Sequence, residues 1–173
     1  MIQPVLPRND LPPILGTGPG LTWRWSNEAD CAACAQALAR RPGIGQACIE
    51  LHGSLGAGKT TFVRHLLRAL GVQGRIKSPT YTVMEPYSVA AQPDLAISHF
   101  DFYRFSDPRE WADAGLRDVF AAPGLKLVEW PEHAAGMLPA ADLQLHISVP
   151  DEAPDSRVVQ INAGTALGQV LLA

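Results

Sequence analysis

The pattern of apolar and polar residues is clearest near the middle of the chain. Residues 47–51 form a short apolar run that ends in a glycine-rich stretch, which predicts a buried strand followed by a turn. Apolar residues then recur at helical spacing over residues 60–70, and the opposite side of that helix carries arginines. Gly71 follows, as is typical of the residue after a helix end. The pattern therefore predicts a strand, a glycine-rich loop and a helix, in that order.

The other elements follow from the same signals. Before the glycine-rich loop, apolar and polar residues alternate weakly over residues 21–25, which predicts an edge strand. Ser26 or Asn27 can then cap a helix that runs to about Arg40. Gly115 interrupts a partly helical segment over residues 105–120. After the helix at residues 60–70, residues 81–87 and 95–102 are predicted to form two strands joined by a turn that contains residues 92–94. A third predicted strand covers residues 125–130. Residues 142–149 and 157–163 are predicted to form a closing antiparallel pair. Residues 164–173 are expected to form a short helix or a tail.

Length and composition indicate one globular domain over residues 21–173. The chain has 173 residues, of which 47% are hydrophobic and 18% charged, as in ordinary globular proteins. Residues 1–20 contain five prolines and three glycines, and we expect them to form a flexible extension. No apolar run approaches the length of a membrane span, and the N-terminus does not resemble a signal peptide, so the expected compartment is the cytoplasm.

The charge and the cysteines narrow the range of functions. A formal net charge of −3 argues against a protein that holds nucleic acid by its phosphates, so any contact with RNA is expected to run through a partner. Cys31 and Cys34 match C-x-x-C, but they lie in an alanine-rich helical stretch without a second pair of ligands. Together with Cys48 they are expected to be buried small residues and not a metal or redox site.

The glycine-rich stretch carries the chemistry. It reads Gly53-Ser54-Leu55-Gly56-Ala57-Gly58 and continues as Lys59-Thr60-Thr61, which satisfies the spacing G-x-x-x-x-G-K-[ST] of a phosphate loop. Glycines let successive backbone N–H groups converge on phosphate oxygens, and the helix directs its positive end at the same anion. Lys59 would contact the β- and γ-phosphates, and the Thr60 hydroxyl would ligate Mg²⁺. An N-K-x-D sequence is missing, which favours ATP over GTP.

Two acids and one hydroxyl-rich loop are candidates for the rest of the site. Asp101 and Glu129 each end a predicted strand, and either can hold magnesium directly or through water. The residues alone leave the choice between them open. Residues 78–81, Ser-Pro-Thr-Tyr, follow the phosphate-loop helix and form either a nucleotide-sensing loop or an ordinary turn.

Four separate stretches resemble the bacterial TsaE family, the small ATPases of the machinery that makes threonylcarbamoyladenosine in tRNA. They are the phosphate loop with its flanks (51–62), Lys-Ser-Pro-Thr-Tyr-Thr (77–82), His-Phe-Asp-Phe-Tyr-Arg (99–104) and Leu-Val-Glu-Trp-Pro (127–131). The likeness covers about residues 26–149 in the family's order. It excludes the first twenty residues and departs at Ser54, where many members carry an acid.

The resemblance implies a phosphate-loop fold of the α/β class, with three layers and a mixed parallel and antiparallel sheet flanked by helices. It implies ATP and Mg²⁺ as ligands and a TsaB–TsaD complex as partner. The implied catalytic residues are Lys59, Thr80 in a first switch at 78–81, Asp101 in a second switch, and Glu129. Glu129 would complete the magnesium site of Thr60, with Asp101 as a further candidate, and Trp130 would lie near the nucleotide bound by residues 53–61.

Two other functions compete with a partner-stimulated ATPase. A small-molecule kinase usually needs arginines in a lid over the phosphates, and the arginines after the first switch, at positions 104, 109, 117 and 157, form no compact lid-like insertion. A binding module that uses nucleotide without useful turnover is the third possibility.

Overall fold

The computed structural model describes residues 20–173, which form a seven-stranded sheet with helices on both faces. The strands are β1 (Gly20–Trp25), β2 (Cys48–His52), β3 (Met84–Val89), β4 (Gln92–Asp101), β5 (Leu125–Glu129), β6 (Leu143–Ser148) and β7 (Arg157–Ala163), in the spatial order β1-β7-β6-β2-β5-β4-β3. The four central strands, β6, β2, β5 and β4, run parallel, and β1, β7 and β3 pair antiparallel. The α/β class and the mixed sheet are thereby confirmed.

Within residues 20–173, five α-helices connect or flank these strands. They are α1 (Glu28–Ala39), α2 (Lys59–Leu70), α3 (Glu110–Asp113), α4 (Leu116–Ala121) and α5 (Ala166–Leu172), with 3-10 turns at Ile44–Gln46 and Pro131–Ala134. Asn27 caps α1 as expected, because its side chain accepts from the Asp30 N–H. Gly71 ends α2 at a φ of 99°, and Gly115 separates α3 from α4 at a φ of 70°. No helix in residues 20–173 is long and apolar enough to cross a bilayer.

The sheet separates two hydrophobic cores. On one face, α1, α2 and α5 pack against the sheet with side chains such as Phe62, Leu66 and Leu171. On the other face, α3, α4 and the 3-10 turn at Pro131–Ala134 cover the β4–β5 side with Trp111 and Leu116. The apolar stripe of α2 is therefore buried, as its spacing predicts. All four central strands end at the same edge of the sheet, where the loops that follow them can share a site.

The hairpin of β3 and β4 differs from the sequence prediction. β3 begins at Met84, not at residue 81, because the Val83 N–H donates to the Pro79 carbonyl at 2.7 Å and Val83 takes a left-handed φ of 69°. The turn consists of residues 90–91, and residues 92–94 belong to β4. The register of β4 shifts opposite Ser88 and Val89, and this irregularity allows the strand to contain Pro93. Trp130 is likewise outside β5, at a φ of 56°.

The described part of the chain starts at Gly20 and includes all three cysteines. Cys31, Cys34 and Cys48 are free and buried, as expected. Burial raises the pKa of Cys31 and of Cys48 to about 12. The proposed flexible extension lies outside the described residues, except that Gly20 already pairs with Asn162 as the first residue of β1.

Candidate functional site

The phosphate loop, residues 53–58, connects the end of β2 to the start of α2. Gly53, Gly56 and Gly58 have φ values of 148°, 79° and 112°, which L-residues rarely adopt. A Cβ on Gly53 would also approach the Ile147 carbonyl to 2.5 Å, so the β6 strand end requires a glycine there. α2 begins without a side-chain cap on its N-terminus, which leaves the first N–H groups of this twelve-residue helix available to an anion.

Lys59 lies across the mouth of this loop. Its ammonium donates to the Gly53 carbonyl at 2.6 Å and to the Ser54 carbonyl at 2.9 Å, and it sits 4.2 Å from the centre of the Trp130 ring. Burial lowers the pKa of Lys59, while the nearby carboxylates of Glu129, Glu132 and Asp101 oppose that shift. The side chain is thus a cation held against the backbone that a phosphate would contact.

Thr60 and Glu129 meet at the first turn of α2. The Thr60 hydroxyl donates towards both carboxylate oxygens of Glu129, at 3.0 Å from Oε1 and 2.9 Å from Oε2. Oε1 also lies 2.7 Å from His99 Nε2 in the interior of the sheet. Only 2% of Glu129 is exposed, so its charge depends on these partners for stabilisation.

Asp101 and Thr80 form a second, neighbouring pair. The Thr80 hydroxyl donates to Asp101 Oδ2 at 3.0 Å and lies 2.8 Å from the Ser78 hydroxyl, while the Tyr103 N–H donates to Oδ1 at 2.9 Å. Burial raises the pKa of Asp101 above its usual value, although the Tyr103 and Thr80 bonds act against that shift. The hydroxyl-rich loop is therefore tied to a strand-terminal acid by a side-chain hydrogen bond.

Trp130 begins an aromatic group beside Lys59. A φ of 56° is a strained conformation for a tryptophan, and Pro131 follows directly as the first residue of a 3-10 turn. The Trp130 ring centre lies 5.1 Å from that of Tyr103 and 5.4 Å from that of His133. His133 is fixed in turn, because its Nδ1 lies 2.9 Å from the Phe102 carbonyl.

A hollow of about 220 Å³ opens on the other side of the phosphate loop. Residues from three stretches of the chain line it: Trp25, Asn27, Glu28, Cys31, Gly56, Ala57, Gly58, Thr61, Asp155 and Arg157. Arg157 stabilises the phosphate loop, because its Nε donates a hydrogen bond to the Ala57 carbonyl at 2.7 Å. The hollow has both apolar and polar lining residues and lies beside the phosphate loop, so it is a candidate site for a nucleoside.

Most of the residues expected in the site gather at this edge of the sheet. Lys59, Thr60 and Glu129 form one group, and Thr80 and Asp101 form the other. Ser54, Leu55 and Gly56 lie on the exposed tip of the phosphate loop, Ala57 is buried, and Thr61 faces the hollow.

Sequence reasoning missed two contributors, His99 and Arg157. His99 stands within a stretch that carries the family resemblance, and that is a signal that could have found it. Arg157 is 100 residues from Ala57 in the chain, and nothing local in the sequence marks it.

The donor set fits a magnesium nucleotide. Mg²⁺ is usually held by one or two carboxylates together with phosphate oxygens and waters, and Thr60 with Glu129 supplies that kind of partial set. In residues 20–173 no group of three or more His, Cys, Asp or Glu side chains is arranged as a metal site.

Known proteins are similar to this chain over most of its length. The family model described as threonylcarbamoyl adenosine biosynthesis protein TsaE matches residues 25–159. A Haemophilus influenzae protein named tRNA threonylcarbamoyladenosine biosynthesis protein TsaE is 43% identical over 124 residues, which cover 72% of this chain and 75% of that protein. The Bacillus subtilis protein of the same name is 36% identical over 129 residues, 73% of this chain and 77% of that protein.

A solved structure has the same fold. The crystal structure of Bacillus subtilis YdiB superimposes with a TM-score of 0.72 and 28% sequence identity, covering 88% of this chain and 91% of that one. The residues that the family model matches include the phosphate loop, Thr80, Asp101 and Glu129.

Proposed function

This chain belongs to the TsaE family of threonylcarbamoyl adenosine biosynthesis proteins, and from that premise we propose that it binds and hydrolyses ATP with Mg²⁺. It would do so while acting on a TsaB–TsaD complex, and the hydrolysis would serve the threonylcarbamoyladenosine modification of tRNA. The observation that carries the proposal is the Thr60 hydroxyl within 3.0 Å of both oxygens of the buried Glu129, on the first turn of a phosphate-loop helix.

Each group of the site has a role in this proposal. The backbone N–H groups of residues 53–61 and the Lys59 ammonium bind the phosphates. Thr60 and Glu129 would hold the magnesium ion, which would supply positive charge beside the phosphates. Trp130 lies against the Lys59 ammonium and helps to exclude water from that side. The hollow beside Arg157 receives the nucleoside.

The pair of Thr80 and Asp101 is the proposed sensor of the γ-phosphate. Thr80 sits in a loop whose Ser78 and Tyr81 are exposed, so a change in the hydroxyl contacts of Thr80 changes the surface that the loop presents. A ligand shifts such a loop only by its different affinity for two states, so partner binding must differ between ATP and ADP. The net charge of −3 supports an indirect contact with tRNA, in which the partner complex holds the nucleic acid.

The test measures phosphate release from ATP by the full chain, alone and with the TsaB and TsaD proteins of the same organism. We expect slow release by the isolated chain, stimulation by the complex, and loss of release when EDTA removes magnesium. Parallel titrations compare partner binding with a non-hydrolysable ATP analogue and with ADP. Equal binding in both states with no stimulation would contradict the proposal and would favour a small-molecule kinase, which releases phosphate poorly without its acceptor.

A further inference from the structure

His99 is the most deeply buried polar side chain near the candidate site. Its exposure is 0%, and its Nε2 lies 2.7 Å from Glu129 Oε1. Its Nδ1 is buried without a hydrogen-bond partner among the described residues. Burying an imidazole ring with one ring nitrogen lacking a hydrogen-bond partner costs free energy relative to an apolar side chain of similar size. Packing alone therefore does not account for a histidine here.

The strand register explains how His99 reaches Glu129. On β4 and β5, His99 is opposite Leu127 and Asp101 is opposite Glu129, so His99 is the diagonal neighbour of Glu129 on the same face. The positions just before it on this face, Ile97 and Leu125, carry apolar side chains that belong to the core. The polar ring of His99 therefore lies two residues before Asp101 on β4, directly next to the two strand-terminal acids on this face.

The two oxygens of Glu129 are held differently. Oε1 accepts from His99 and from Thr60, whereas Thr60 is the one donor to Oε2 within residues 20–173. The terminal torsion of a glutamate is soft, so a carboxylate without the His99 bond could rotate and present its oxygens in several ways. A donor fixed in the sheet interior restricts that rotation and leaves lone pairs of Oε2 available. Partners of this kind orient the carboxylates that bind metal ions.

We propose that His99 is a positioning residue that fixes the Glu129 carboxylate for magnesium. The inference rests on the proposed function, because it assigns a role towards the ion that Thr60 and Glu129 would hold. Loss of such a partner typically weakens metal affinity about 10- to 100-fold. The bond itself, and not the volume of the ring, is what the proposal requires.

The test uses nucleotide binding, which is measured without turnover. His99→Leu keeps a similar volume and removes the donor, whereas His99→Gln keeps an N–H at a similar reach. ADP affinity is titrated calorimetrically in EDTA and then over a magnesium series. For His99→Leu we expect ADP affinity in EDTA within about twofold of wild type and a magnesium requirement about 10- to 100-fold higher. His99→Gln should restore the magnesium requirement to within about threefold of wild type, as expected if the donor is what matters.

Ile97→Val serves as the control for packing, since it removes a methyl group from the same face of β4 and no donor. It should lower the melting temperature without changing the magnesium requirement. If His99→Leu does not fold, His99→Asn, whose shorter amide cannot reach Glu129, replaces it against His99→Gln. Equal magnesium requirements for the variants with and without the donor would overturn the inference. Wild-type protein whose nucleotide binding ignores magnesium would overturn the proposed function, and the inference would fall with it.

Discussion

Replacing Glu129 with glutamine tests the magnesium site most directly. The change keeps the shape of the side chain and removes its charge. Mg²⁺ lies about 2.1 Å from its ligands, and Thr60 Oγ1 lies 3.0 Å from Glu129 Oε1. An ion on Thr60 would therefore lie within about 5 Å of the carboxylate. At that distance the attraction of a divalent ion for one negative charge is about 1.7 kcal/mol in the dielectric of water and about 7 kcal/mol at an effective dielectric constant of 20.

The attraction calculated with the dielectric constant of water sets the minimum expected loss of magnesium affinity in Glu129→Gln. A loss of about 1.7 kcal/mol corresponds to about 20-fold weaker magnesium affinity. The stability of the fold should change little, because the variant loses bonds to a charged group and also loses the cost of burying that charge. We therefore expect a shifted magnesium titration of nucleotide binding with a melting temperature near that of wild type.

Two further variants make the measurement specific. Asp101→Asn should reduce turnover and shift the magnesium titration less than Glu129→Gln, because Asp101 accepts from Thr80 whereas Glu129 accepts from Thr60. Asp94→Asn removes an exposed charge at the far end of β4 and should change neither property. A strong shift in Asp101→Asn with none in Glu129→Gln would refute the reasoning and reverse the assignment of the two acids.

Further predictions concern the phosphate loop, the switch, the N-terminus and the thiols. Lys59→Ala should abolish calorimetric binding of Mg-ATP in a folded protein, and wild-type affinity would contradict the phosphate-loop assignment. Thr80→Ala should reduce the difference in TsaB–TsaD binding between ATP and ADP in a pull-down. Deleting residues 1–19 should leave the melting temperature nearly unchanged, and a large drop would show that they pack on the domain. The thiols of Cys31 and Cys48, with pKa raised to about 12 by burial, should resist alkylation in the folded protein, and stability should fall above about pH 9, where unfolded thiols ionise.

The phosphate loop and its helix could be predicted from the sequence because their causes are local. Positive φ values fall on Gly53, Gly56 and Gly58, and a contiguous helical period buries one side of α2. The Asn27 cap is equally local. The predicted boundaries of the β3–β4 hairpin are less accurate. They depend on a hydrogen bond from Val83 to Pro79 and on the register shift near Ser88, and both arise only when the chain folds back on itself.

The partners of the two acids were decided only by the tertiary structure. Asp101 and Glu129 are equivalent in the sequence, since each ends a strand, and the strands place them opposite each other. The order of strands distinguishes them: β5 lies beside β2, from which the phosphate loop and Thr60 continue, whereas β4 is one strand further away. Glu129 therefore meets Thr60, and Asp101 meets Thr80. Local patterns fix which residue types end each strand, but the distance between their side chains depends on pairing between segments far apart in the chain.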